Sequence, residues 1–228
     1  MQRGQVAVGV AGDGGYGQGE PVVVAEATAR VGLGSGFSAG AQAGRYHGSG
    51  GPQLRDARVG VGWRAVDQAQ VSLELRPGVS LPLGSASADG WVPRSTASVD
   101  PVLSASFYAG DQWLMAVDTD AQVPVVAGSD GLRQGPYTSV VLRGARRLPN
   151  AVASAGVNDT RRGPGDDGVG YHEVAAVAGL SWTPLEGLGV APRVRAPFWS
   201  DQAKLAYRLA VGLELTWVSP RKEDDHSE

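Results

Sequence analysis

There is no cysteine among the 228 residues. Disulfides, thiolate metal sites and cysteine nucleophiles are thereby excluded, and the absence fits an oxidising envelope compartment. Lysine is nearly missing too, at positions 204 and 222 alone, so arginine carries the positive charge. No stretch reaches the roughly 18 apolar residues that a membrane-spanning helix needs. Aromatic residues make up 7% of the chain, with only 3 Phe. The net charge of -3 offers no broad basic surface, so no nucleic-acid partner is expected. The start, MQRGQVAVGV, lacks a charged region followed by an apolar core of about 7–15 residues, the form of an export signal. That absence alone argues against export. The expectation here is a chain that begins near a mature end or whose start is misplaced; a cytoplasmic protein is the alternative.

What is present is glycine, at 34, and proline, at 14, with a mean hydropathy of -0.13. This composition is turn-rich and β-type, and it suits a barrel with a polar lumen. The clearest pattern is Ala69 to Gly84. Ala69, Val71, Leu73, Leu75, Pro77, Val79, Leu81 and Leu83 alternate with Gln70, Ser72, Glu74, Arg76, Gly78, Ser80, Pro82 and Gly84. Side chains on a strand alternate faces, so one face is apolar and the other polar or small, apart from Pro82. The run is longer than the usual soluble strand of about 5–6 residues. A tilted strand crossing a bilayer needs roughly 9–11. Pro77 lacks an N–H, which predicts a bulge or kink there.

Twelve such segments follow one another: 5–12, 22–33, 37–46, 55–65, 69–84, 99–109, 113–125, 137–147, a weaker 151–158, 172–182, 188–196 and 205–217. Connections after the even-numbered segments are short and those after the odd-numbered ones are longer, with 85–98 the longest. Short turns on one rim and long loops on the other mark outer-membrane barrels, the short turns being periplasmic. The reading is therefore all-β: a closed antiparallel transmembrane β-barrel of about twelve strands over residues 1–217. A disordered charged tail follows over 218–228. The lipid bilayer of the bacterial outer membrane is the expected surrounding.

Trp and Tyr collect at membrane interfaces. Phe37, Trp63, Phe107, Trp113, Trp182 and Trp217 fall on the apolar face near the short-turn rim. Tyr137, Tyr171, Phe198, Trp199 and Tyr207 fall near the long-loop rim. These define two expected girdles. The last segment, Gly212–Leu213–Glu214–Leu215–Thr216–Trp217, resembles the terminal recognition strand of outer-membrane proteins, although Ala210 stands where a polar residue is usual. The stretch RPGVSLPLGSAS resembles the P-T-G strand end of the bacterial outer-membrane family associated with the meta-pathway of phenol degradation and of transporter-like barrels. Pro82 and Gly84 match, and Leu83 replaces the Thr. By layout the resemblance runs from the fourth segment to the twelfth. It implies passage or handling of small, often hydrophobic molecules at the outer membrane.

The polar face carries Glu26, Arg30, Arg58, Arg64, Glu74, Arg76, Asp100, Asp118, Asp120, Arg143, Arg147, Glu173, Arg193, Arg195, Arg208 and Glu214. An arginine facing lipid near the midplane costs roughly 2–4 kcal/mol, so these charges are placed in the lumen. They either line a pore and set its selectivity, or interlock and fill a narrow lumen. Inward Gly and Ala leave free space. About twelve strands lie between the eight that side chains can fill and the sixteen that leave an open channel.

No catalytic residue is assigned and no enzyme is expected. Asp118 and Asp120 share a face, but arginine neighbours favour ion pairing over acid–base work. His172 faces outward by parity, whereas Ser139 and Ser181 face inward; His47 lies at a loop edge and His226 in the tail. The Gly/Asp-rich stretches around Gly14, Gly15, Asp166 and Asp167 lack regular calcium-loop spacing, so loop is their default. No cofactor or metal is expected. The function expected is a passive, porin-like channel for small molecules. The alternatives are a non-conducting accessory barrel whose loops bind a partner, and a soluble β-rich binding domain.

Overall fold

The computed structural model describes residues 3–17, 20–48, 51–68, 70–81, 83, 97–127, 133, 135–166, 168, 170–201 and 207–220; inside strands, the side chains of 16, 17, 20, 46, 48, 51–56, 207 and 208 are outside that description. Twelve strands run in order: β1 (Val6–Gly17), β2 (Glu20–Gly34), β3 (Phe37–Gly48), β4 (Gly51–Asp67), β5 (Val71–Leu81), β6 (Ser98–Ala109), β7 (Trp113–Pro124), β8 (Tyr137–Leu148), β9 (Ala151–Arg162), β10 (Tyr171–Leu185), β11 (Leu188–Ser200) and β12 (Tyr207–Val218). Each pairs antiparallel with its neighbours in sequence, and β12 returns to β1, so the sheet closes into a barrel. Closure removes both edges and satisfies the backbone polar groups within the wall, as a lipid surrounding demands.

The molecule is inside-out relative to a water-soluble protein. Among the described residues only Val22, Ala145 and Ala175 are buried hydrophobics, whereas Ser38, Ser80, Ser98, Asp100, Thr160, Arg162 and Glu173 are buried polar groups. Large apolar side chains such as Leu81, Leu142, Val211 and Leu213 stand exposed on the outer face. This follows from the alternation, since one parity of every strand must point out and that parity is the apolar one. Among the described residues no helix is long and apolar enough to cross a membrane.

Several elements differ from the sequence expectation. β1, β4, β9 and β11 extend four or more residues further toward the long-loop rim than their apolar alternation does. The hydrogen-bond ladder continues above the lipid-facing zone, where no apolar outer face is required. Gly14 and Gly15 therefore lie in β1, paired with Val23 and Val22, rather than in a loop. For the same reason β1–β2 and β3–β4 are joined on that rim by 18–19 and 49–50 alone, so the long loops are those from β5 onward. At the other rim the turns are tight. Gly34, Ser35 and Gly36 all adopt left-handed backbone, and a Cβ on Gly187 would lie 2.5 Å from the Val218 carbonyl oxygen.

Pro77 produces an interruption and not a bulge. It stands opposite Pro101 in an unbroken β5–β6 register. On its β4 side the ladder skips from Gly60–Gly78 to Trp63–Leu75 without slipping, and the register shift comes later, between Arg64 and Val66. Val218 continues β12, and Ser219 is tied to β1 by Val6 N donating to its hydroxyl at 2.9 Å. Val218, expected in the tail, thus belongs to β12 instead, and 221–228 lie outside the described residues, as do Pro82 and Gly84.

Candidate functional site: the barrel lumen

Inward parity brings charged residues from most of the strands onto the internal surface. The main lumen cavity has a volume of about 760 Å³. Glu26, Arg58, Arg76, Asp118, Asp120, Arg143, Glu173, Arg193 and Arg195 all line it. A second cavity of about 260 Å³ sits toward the short-turn rim, lined by Arg30, Arg64, Asp67, Glu74, Ser38 and neighbours. The two share no lining residue.

The charges are arranged as pairs between strands. Arg58 on β4 meets Asp120 through Nη2 at 3.1 Å and Asp100 through Nε at 3.4 Å. Arg143 pairs with Asp118, and Arg195 with Glu173. Arg193 holds Asp13 through two hydrogen bonds and reaches Glu214 at 3.6 Å. Asp100 is fully buried, accepting from Ser98 Oγ at 2.6 Å and from Ser80 Oγ. A buried carboxylate needs such partners, because an unpaired charge out of water is strongly unfavourable.

Between the two cavities lies a tighter cluster. Arg30 Nε and Nη2 both donate to Ser38 Oγ, at 2.9 and 2.8 Å, and Nη2 also donates to Glu74. Arg76 Nε lies 3.8 Å from Glu74, and its Nη2 donates to Ser104 Oγ at 3.1 Å. Gly62 makes room for this: a Cβ there would stand 2.6 Å from Ser38 Oγ and 2.7 Å from Arg30 Nη2. At Gly212 a Cβ would overlap the Asp13 carboxylate. At these two glycines the room expected to be free is occupied by ion pairs.

Arg64 borders the smaller cavity and pairs with Asp67 at 3.1 Å. Arg147 is exposed at the short-turn rim and borders neither cavity. The side chain of Arg208 lies outside the described residues. Asp13 falls just past the first apolar segment, although the inward parity of Ala7, Gly9 and Ala11 runs straight on to it. Asn158, Thr160 and Tyr171 also line the main cavity. They fall where outward apolar residues give out, so alternation alone gave little signal.

The short-turn girdle stands outward as expected: Phe37, Trp63, Phe107, Trp113, Trp182 and Trp217 are all exposed on the apolar face. Phe37 stacks on Trp63 with centroids 6.2 Å apart, and Arg146 lies 5.6 Å over the Trp113 ring. At the other rim Trp199 is exposed, with Phe198 beside it, and Tyr207 has no described side chain. Tyr137 corrects the girdle. It lines the lumen cavity, as does Tyr171. Val140 and Leu142 fix the outward phase of β8, and its pairing with β9 is unbroken, so residue 137 must face in.

Not every charge is internal. Asp159, Arg161 and His172 share the outward face near the long-loop rim. Asp159 accepts from Arg161 Nε at 3.0 Å and lies 3.0 Å from His172 Nε2, and the His172 ring meets Trp199 edge-on at 4.7 Å. The lipid-facing penalty falls to about 0–1 kcal/mol near the interfaces, which permits charge at that height.

No protein-family model matches the chain, and no curated relative matches it in sequence. Its shape does have counterparts. An outer membrane channel from Pseudomonas putida F1 superposes with a TM-score of 0.74 at 14% identity, covering 96% of this chain and 97% of that one. The NanC porin gives 0.63 at 9% identity, with 94% and 100% covered. The CymD monoaromatic hydrocarbon channel gives 0.54 at 10%, with 97% and 89% covered. The chain has the fold that these outer-membrane channel and porin barrels share.

Proposed function

We propose that the protein is a passive outer-membrane channel for small molecules. The observation that carries this reading is a polar cavity of about 760 Å³ inside a closed barrel whose outer face is apolar. An apolar exterior between aromatic rims seats the barrel in a bilayer. A lumen lined by paired charges and hydroxyls hydrates small solutes and passes them down their gradient. The pairing leaves little unbalanced charge along the main cavity, so weak ion selectivity accompanies conduction. Similarity in fold to known channels supports the reading without naming a cargo. Refolded protein in a planar bilayer gives discrete conductance steps in KCl; a folded, heat-modifiable barrel with no steps refutes the channel.

A non-conducting accessory barrel is the second reading, and the Arg30–Glu74–Arg76 cluster between the two cavities favours it. If that cluster seals the lumen, opening it by mutation yields conductance where the native protein has none.

A further inference from the structure

We propose that the lumen wall of β8–β10 at the long-loop mouth is a binding subsite for a hydroxylated solute of the sugar class, with Asn158 as its fixed donor. This rests on the lumen being solute-accessible, as the channel reading holds. Three rungs build the subsite. Tyr137, Arg162 and Tyr171 stand side by side on paired strands, and so do Ser139, Thr160 and Glu173 one rung deeper. Below them, Asn158 is flanked by Val141 and Ala175.

Asn158 is the telling residue. Ser139 Oγ and Thr160 Oγ1 both donate to its Oδ1, each at 3.0 Å. Its carboxamide oxygen is therefore engaged twice, and the plane of the amide is held. Its Nδ2 has two donors to give and makes no hydrogen bond among the described residues. Asn158 lines the main cavity. Thr160 is itself only 4% exposed, so the orienting hydroxyl is part of the wall.

The surroundings select the class of solute. Glu173 is bound by Arg195, so that acid presents no unpaired negative charge to a solute, and Arg162 stands one rung nearer the mouth. An apolar solute would leave the Asn158 amide without an acceptor. Tyr137 and Tyr171 line the cavity beside it, and each stands next to Arg162 on a paired strand. A pyranose satisfies this combination. Its hydroxyls accept from the amide and exchange hydrogen bonds with the tyrosine hydroxyls, and its C–H face lies on an aromatic ring.

The test uses the full chain refolded in detergent micelles, with equilibrium dialysis of radiolabelled glucose, N-acetylglucosamine and maltose. KCl conductance is recorded in parallel. At least one sugar binds saturably. Asn158→Leu, and Asn158→Asp, which keeps the shape and the acceptor but removes both donors, each weaken binding by roughly tenfold or more. Both variants keep the heat-dependent gel shift of a folded barrel. Conductance without saturable sugar binding overturns the subsite and leaves the channel standing; sugar binding without conductance overturns the channel alone. Retention of toluene in place of every sugar assigns the cavity to apolar solutes and overturns the proposal, as does sugar binding unaffected by either variant.

Discussion

Glu74 is the residue whose removal should change conduction most. Among the described residues it is the sole acid in a cluster with Arg30 and Arg76, and it sits where the two lumen cavities approach each other. Glu74→Gln keeps the volume and raises the formal charge of that cluster from +1 to +2. One added unit charge about 5 Å from a passing ion is worth about 0.8 kcal/mol even at the dielectric of bulk water. At 1.4 kcal/mol per tenfold, that is roughly a fourfold rise in local chloride and a similar fall in potassium. The chloride-to-potassium permeability ratio then rises by roughly an order of magnitude, and more if the neck is less hydrated than bulk water. Glu74→Ala does this and also widens the neck, so single-channel conductance increases as well. The assay is the reversal potential across a planar bilayer in a tenfold KCl gradient, with conductance read in symmetric salt. An unchanged reversal potential in Glu74→Gln, with the barrel folded, refutes the placement of Glu74 on the ion path. The fold survives the change, because Arg30 keeps both of its hydrogen bonds to Ser38.

Three further outcomes follow from the wall itself. Gly212→Ala drives a Cβ into the Asp13 carboxylate held by Arg193 and destabilises the barrel by about 1–2 kcal/mol, read as a lower urea midpoint of unfolding from vesicles. Leu213→Arg, one residue on, points at lipid and costs roughly 2–4 kcal/mol in the same assay; a change below that of Gly212→Ala would contradict the assigned parity. Arg146→Ala removes the cation over Trp113 at the short-turn interface and lowers stability by about 0.5–1 kcal/mol, whereas Trp113→Ala lowers it further by stripping an interfacial anchor.

The amino-acid sequence by itself determined the barrel. Alternation assigns a face to each residue without reference to any other strand, because the pleat repeats every two residues. Twelve apolar faces with no soluble core to cover leave closure in lipid as the remaining arrangement. The same parity placed Phe37, Trp63, Trp182 and Trp217 outside, and Glu74, Asp118 and Arg195 inside. It also placed Tyr137 inside, but proximity to the rim suggested a girdle residue, and distance along the strand does not decide which way a side chain points. Only the tertiary structure decided who meets whom. Asp13 and Arg193 are 180 positions apart and touch because β1 closes on β12 and β11 lies next along. The fixing of Asn158 needs Ser139 from a different strand. Gly62 and Gly212 look like free space in a sequence, yet each leaves the volume that members of an ion pair from other strands then fill. Such contacts depend on register and on strand order around the barrel, and neither is written in the alternation of any one strand.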